Sequence, residues 1–149
     1  MNQVNKKDSQ DFIALYDKYQ SLSPGRQSEL KRVAEPCDLV EVPAFYSITK
    51  GFGTDEKAQR LVYCLPCINH KDGGRGLGKA LADAGINEKR LFIVVRSYDP
   101  NDIIQLRRLL QQVKPTIDWL ITAKQLYYWN DLSKRTLLED FFLHQKQSD

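Results

Sequence analysis

Sulfur and imidazole are scarce in this chain, which has three cysteines, one methionine and two histidines among 149 residues. An odd number of cysteines fits reduced thiols better than a disulfide framework. The two histidines are His70, expected in a loop, and His144, near the C-terminus; neither is placed as a base beside a nucleophile, as a hydrolase requires. No acidic cluster has metal-ligand spacing, so no metal and no cofactor is expected. There is no run of roughly 20 apolar residues, which excludes a membrane span. Met1–Asp8 is polar where a signal peptide carries an apolar stretch, and a cytoplasmic protein is the expectation. Internal repeats and low-complexity tracts are also missing. Nothing in the sequence makes a positive case for an enzyme.

The chain is long enough for one domain with a real core, expected over residues 1–149 with frayed ends at 1–8 and 146–149 and a possible lobe boundary near 70–78. The net charge of +3 implies no particular partner, but its distribution is uneven. Residues 1–74 carry ten basic and ten acidic side chains, whereas residues 75–135 carry eleven basic and six acidic. Such asymmetry hints at an anionic partner, with an ordinary solvated surface as the plainer reading.

Apolar residues recur at helical spacing almost throughout. Phe12, Leu15, Tyr16 and Tyr19 form a first stripe. Ser23-Pro24 pairs a capping residue with proline at the first helical position, opening a helix through Leu30 and Val33 that Glu35-Pro36 ends. Pro43 starts a short helix that Gly51-Phe52-Gly53 stops. A longer helix is expected from Asp55 to Cys67, closed by Pro66. His70 to Gly78 reads as a loop, Leu77 to Ala84 as a helix stopped by Gly85. Asn87 caps Glu88 to Ser97, whose Leu91-Phe92-Ile93-Val94-Val95 is the one place where a strand competes; the cap and the helical neighbours favour a helix. Asp99-Pro100 opens a helix to Val113, and Thr116 to Trp129 and Ser133 to Gln145 complete an all-α protein of seven to nine helices.

Three motifs invite chemistry. Gly73 to Lys79 fits the first seven positions of a phosphate-binding loop, but the eighth is Ala80 where a magnesium-binding hydroxyl belongs, and no buried strand precedes it. A glycine loop presenting Arg75 and Lys79, beside amides at a helix start, to a phosphate backbone is the better reading. Cys64-Leu65-Pro66-Cys67 has dithiol spacing but lies at the C-terminal end of an apolar stripe, where the helix dipole disfavours a thiolate; buried cysteine is the simpler reading. Adding His70 gives three zinc ligands without a fourth, Cys37 and His144 being distant. Asp118 and Glu139-Asp140 read as a helix-start acid and a polar face.

The basic residues survive better. Lys31 and Arg32 follow Leu30, Lys89 and Arg90 follow the Asn87 cap, and Arg107 and Arg108 sit in mid-helix. Lys89 and Arg96, seven apart, share a helical face, with Arg90 and Arg96 nearly doing so. Arg107 and Arg108 are about 100° apart and can line the side of a groove, where arginine's forked donors suit phosphate oxygens. In the competing reading one of them ties down a carboxylate such as Asp102 or Glu139 inside the bundle.

Seven ordered segments carry a resemblance: Leu30–Pro36, Val42–Tyr46, Gly78–Ala82, Asn87–Phe92, Gln105–Leu110, Asp118-Trp119 and Leu137–Phe141. In order and spacing, from about residue 11 to 144, the chain resembles the CasB small subunits of the type I-E CRISPR surveillance complex, Cascade. The resemblance implies an all-α fold, no catalysis, and antiviral defence. It implies two copies head to tail along the guide RNA filament, beside a large subunit and a backbone filament subunit, with no membrane partner. It also implies that basic surfaces seat the CRISPR RNA–target DNA heteroduplex and hold the displaced non-target strand. The family's basic positions fall on Lys31, Arg32, Lys79, Lys89, Arg90, Arg96, Arg107, Arg108, Lys124 and Arg135. Two departures bear on the extent of the groove: a short loop between Cys67 and Gly78, and Asp99 where further positive charge is expected.

Overall fold

The computed structural model describes residues 7–146. Among these are nine α-helices: α1 (Ser9–Gln20), α2 (Pro24–Lys31), α3 (Pro43–Thr49), α4 (Glu56–Cys64), α5 (Leu77–Asp83), α6 (Glu88–Arg96), α7 (Asn101–Val113), α8 (Trp119–Tyr127) and α9 (Asp131–His144). Two 3-10 turns, Pro36–Glu41 and Leu65–Cys67, and two short strands, β1 (Asn69–His70) and β2 (Thr116–Ile117), complete the described elements. The expected all-α architecture is the observed one.

Capping chemistry sets most helix starts. Asp8, Ser23, Asp55, Asn87, Asp118 and Asn130 each accept a backbone N–H of the turn they precede, at about 1 kcal/mol apiece. Asp8 was expected in a frayed end, but it forms a reciprocal capping box with Asp11; the rest of that expectation, at 1–6 and 147–149, lies outside the described residues. Pro66 lacks an N–H and tightens the end of α4 into a 3-10 turn, so the helix closes at Cys64.

The contested segment is helical. Leu91 and Val94 are buried while Ile93 is exposed, the pattern of a 3.6-residue period. Two boundaries differ from the expectation. Thr116-Ile117 is extended, not helical, and pairs in parallel with Asn69-His70; the Asp118 carboxylate caps Leu120 N–H and starts α8 only at Trp119. Asn130 caps Ser133 N–H and starts α9 two residues earlier than Ser133.

A contiguous core joins segments from both sides of the 71–76 loop, with Phe12, Phe45, Leu81, Trp119 and Phe141 fully enclosed. The Trp119 indole N–H donates to Phe12 O at 2.8 Å, so the largest core side chain leaves no orphan donor. No helix among the described residues is long and apolar enough to cross a membrane.

Candidate nucleic-acid interface

The glycine loop does not present a helix start to phosphate. A Cβ on Gly78 would stand 2.6 Å from Leu137 O and 2.7 Å from Phe141 N, so this glycine is what lets α5 press on α9. At the same junction the Asp140 carboxylate accepts Lys79 N–H at 2.7 Å, taking one of the amides expected to draw an anion. Arg75 pairs with Asp83 at 2.8 Å, and Lys79 Nζ lies 3.5 Å from the same oxygen. Those two cations hold the Asp83 carboxyl below its usual range, the Arg75 hydrogen bond contributing most. The loop reading is modified: Arg75 and Lys79 both lean on Asp83 in part-exposed pairs, and Asp140 is a helix cap.

Cys64 is fully buried and burial pushes its thiol up; Cys67 shifts the same way for the same reason, with nearby Arg107 opposing. His70 Nδ1 accepts Trp119 N–H at 2.9 Å, leaving Nε2–H to meet Asp72 at 2.6 Å. The ring thus stitches β1 to the start of α8. Among the described residues, no three His, Cys, Asp or Glu side chains gather as a metal site.

Arg107 is the main correction. It is only 3% exposed, and its guanidinium donates to Val33 O at 2.8 Å and to Lys31 O, while lying 4.2 Å from the Tyr63 ring centroid. Those carbonyls belong to the end of α2, where the last turn leaves acceptors without helical partners. Arg107 is a strut between α7 and α2, and Arg108 alone of the pair is exposed. Neither closes on Asp102. That buried carboxylate takes Lys134 at 3.0 Å and the Trp129 indole N–H at 2.9 Å, while Lys134 also donates to Ser97 O.

Sequence reasoning held an inward Arg107 or Arg108 as the competing reading, with a carboxylate as partner where the structure has carbonyls, and overlooked Lys134, although a signal was present for both. Arg107 follows Ile103 by four residues and precedes Leu110 by three; Lys134 precedes Leu137 by three and Phe141 by seven. Both lie on the apolar stripe of their helix. Arg60 was overlooked too: it donates to Leu126 O at 2.7 Å and Tyr127 O at 2.8 Å, capping the end of α8.

Eight of the ten expected cations remain exposed: Lys31, Arg32, Lys89, Arg90, Arg96, Arg108, Lys124 and Arg135. Among the described residues none of these eight forms an ion pair. They do not share one face. Arg90 donates to Gln112 of α7, and Gln112 lies one turn beyond Arg108, which brings Arg90 and Arg108 to one flank. Lys31, at the end of α2, borders a cavity with Gln111 of α7 and Lys114 just beyond its end, on the Arg107 side of that helix. Arg96 turns the other way, 4.5 Å from the centroid of the Phe92 ring, which packs on Phe142 of α9. Six helical residues rotate by about 240°, so Arg90 and Arg96 are not near-neighbours on α6 as expected, whereas Lys89 does share Arg96's face. Lys124 borders a third region, the groove between α8 and α9 with Ile121, Tyr128 and Leu132. Arg135 stands on α9, three residues beyond Leu132.

Comparison with known proteins agrees with this architecture. No family model matches the chain. The chain is 38% identical to the CRISPR system Cascade subunit CasB of Escherichia coli K12, over 91% of this chain and 95% of the relative. Its fold is similar to that of a chain in the crystal structure of E. coli Cascade bound to a PAM-containing double-stranded DNA target. That match has a TM-score of 0.85 and 40% identity, covering 90% of this chain and 95% of the other. With 38% identity over nearly the full length of both chains and a shared fold, the chain belongs to the CasB family of Cascade subunits.

Proposed function

We propose that this protein is a cytoplasmic, non-catalytic subunit of a CRISPR Cascade ribonucleoprotein in antiviral defence. Its exposed cations grip the sugar-phosphate backbone of the CRISPR RNA–target heteroduplex and of the displaced non-target strand, which stabilises the R-loop. Its protein partners are a large subunit, a backbone filament subunit and a second copy of itself. The observation that carries this reading is the contrast between paired and unpaired cations. Arg75, Lys79 and Lys134 are matched by carboxylates, whereas Arg90 and Arg108, brought together on one flank, and Lys31 and Arg32 at the end of α2 are exposed and without ion pairs. Base pairing reads sequence in such complexes, and backbone contacts tip a nearly balanced strand exchange.

Arg107 favours a second, structural role for part of the set: cations bound to the protein's own carbonyls hold the subunit's shape and touch no strand. The two roles separate in assembled complexes carrying Arg90→Gln and Arg108→Gln. Loss of two phosphate contacts lowers the slope of log affinity against log salt by about 2 for target DNA. Unchanged affinity and slope would retire the nucleic-acid reading for this flank.

A further inference from the structure

Arg107 is buried without a counter-charge. Among the described residues no carboxylate pairs with it, and its Nε is an enclosed donor with no partner. Tyr19 Oη, also enclosed and unpartnered, lies within electrostatic reach of Arg107 and Cys67. Carbonyl dipoles and a ring face soften a buried cation, but they do not neutralise it, and buried charges are ordinarily paired.

Beside this unmatched charge lies a cavity of about 300 Å³ whose wall includes Lys31, Cys67, Asn69, Arg107, Gln111 and Lys114. Three cations and two side-chain amides face it, and no acidic side chain borders it. Lys114 is placed by backbone geometry. It sits in the left-handed region (φ 49°) at the end of α7, its N–H bonded to Leu110 O at 2.7 Å, just ahead of Pro115. Lys31 is placed by Arg107 itself, which holds the Lys31 carbonyl. Two exposed lysines thus border a recess whose wall also includes a fixed, buried arginine.

The geometry points to an anion seat in this recess, built to take one phosphate group of a nucleic-acid strand running along the α2–α7 flank. This inference rests on the nucleic-acid reading of that flank and sharpens it: Lys31 and Lys114 make the direct contacts, and Arg107 acts through its field from behind. A phosphate has the charge to complete Arg107, the oxygens to accept from two lysines and two amides, and a size the recess admits. The seat also gives Lys114, which was in no expected set, a defined role.

The test has two arms. In the first, unfolding of the whole chain is followed against sodium phosphate, with sodium chloride at matched ionic strength as baseline. Wild type shows a saturable gain in midpoint from phosphate; Lys31→Gln/Lys114→Gln loses that gain, and Lys71→Gln, an exposed lysine outside the recess, keeps it. In the second arm, assembled complexes are titrated with labelled target DNA. Lys31→Gln/Lys114→Gln weakens binding about tenfold at low salt and lowers the salt slope by about 1. Equal phosphate responses of wild type and double variant overturn the seat. A lost phosphate response with unchanged DNA affinity also overturns the proposal, leaving a recess for free anions only. The broader reading fails separately, when Arg90→Gln/Arg108→Gln leaves DNA binding unmoved.

Discussion

Among the described residues two cations are buried, Lys134 and Arg107, and they are balanced in opposite ways. Lys134, on α9, meets a carboxylate, a backbone carbonyl and an indole-bearing neighbour, so the charge closes on itself inside the protein. Arg107, on α7, meets two carbonyls and a phenol ring and stays one negative charge short. The first region needs nothing from outside. In the proposed reading the second is completed by a bound phosphate, and the unpaired surface cation Lys31 borders the same recess. Charge left over in the interior and charge left over on the surface mark the same recess.

Mutation can break this contrast from either side. The largest effect is expected from Asp102→Ala, which strands Lys134 and removes the acceptor of the Trp129 indole; breaking a buried pair from one side costs about 3–5 kcal/mol, readable as a lower denaturant midpoint. Arg107→Met removes two carbonyl bonds and the contact with Tyr63, for about 2–3 kcal/mol. Its deficit relative to wild type grows in phosphate buffer, because wild type gains from the anion and the variant does not. Replacing the Lys134 pair outright, as Asp102→Leu/Lys134→Met, leaves stability within about 1 kcal/mol of wild type, since desolvation of both charges disappears with their attraction. The smallest effect on folding is expected from Arg90→Gln/Arg108→Gln, within about 0.5 kcal/mol, while DNA retention by the assembled complex is expected to fall, as a titration at low salt checks. A stability loss above 2 kcal/mol there would show that these arginines are struts like Arg107.

How much of this was legible in the sequence depended on how local the signal is. Helix starts at Ser23, Asp55 and Asn87 are written in one or two residues, and the cap settled Leu91–Val95 against its β-branched composition. The β1–β2 contact was not legible: two residues per strand carry no period, and the partners are more than forty positions apart. Arg107 and Arg108 are chemically identical neighbours, and only the position of Arg107 on the Ile103–Leu110 stripe separates strut from surface. Gly78 looked like half of a phosphate motif because the helix that needs its missing side chain lies some sixty residues downstream.

That last contact sets an order on synthesis. Helix α5 has no side-chain cap of its own and borrows the Asp140 carboxylate, while its glycine face fits only against Leu137–Phe141. A seven-residue helix is too short to persist alone, so as the chain leaves the ribosome the stretch from Leu77 to Asp83 has to wait, unformed, until Leu137 to Phe141 has emerged some sixty residues later. Premature termination before residue 137 therefore removes two helices from the fold, one of them already translated.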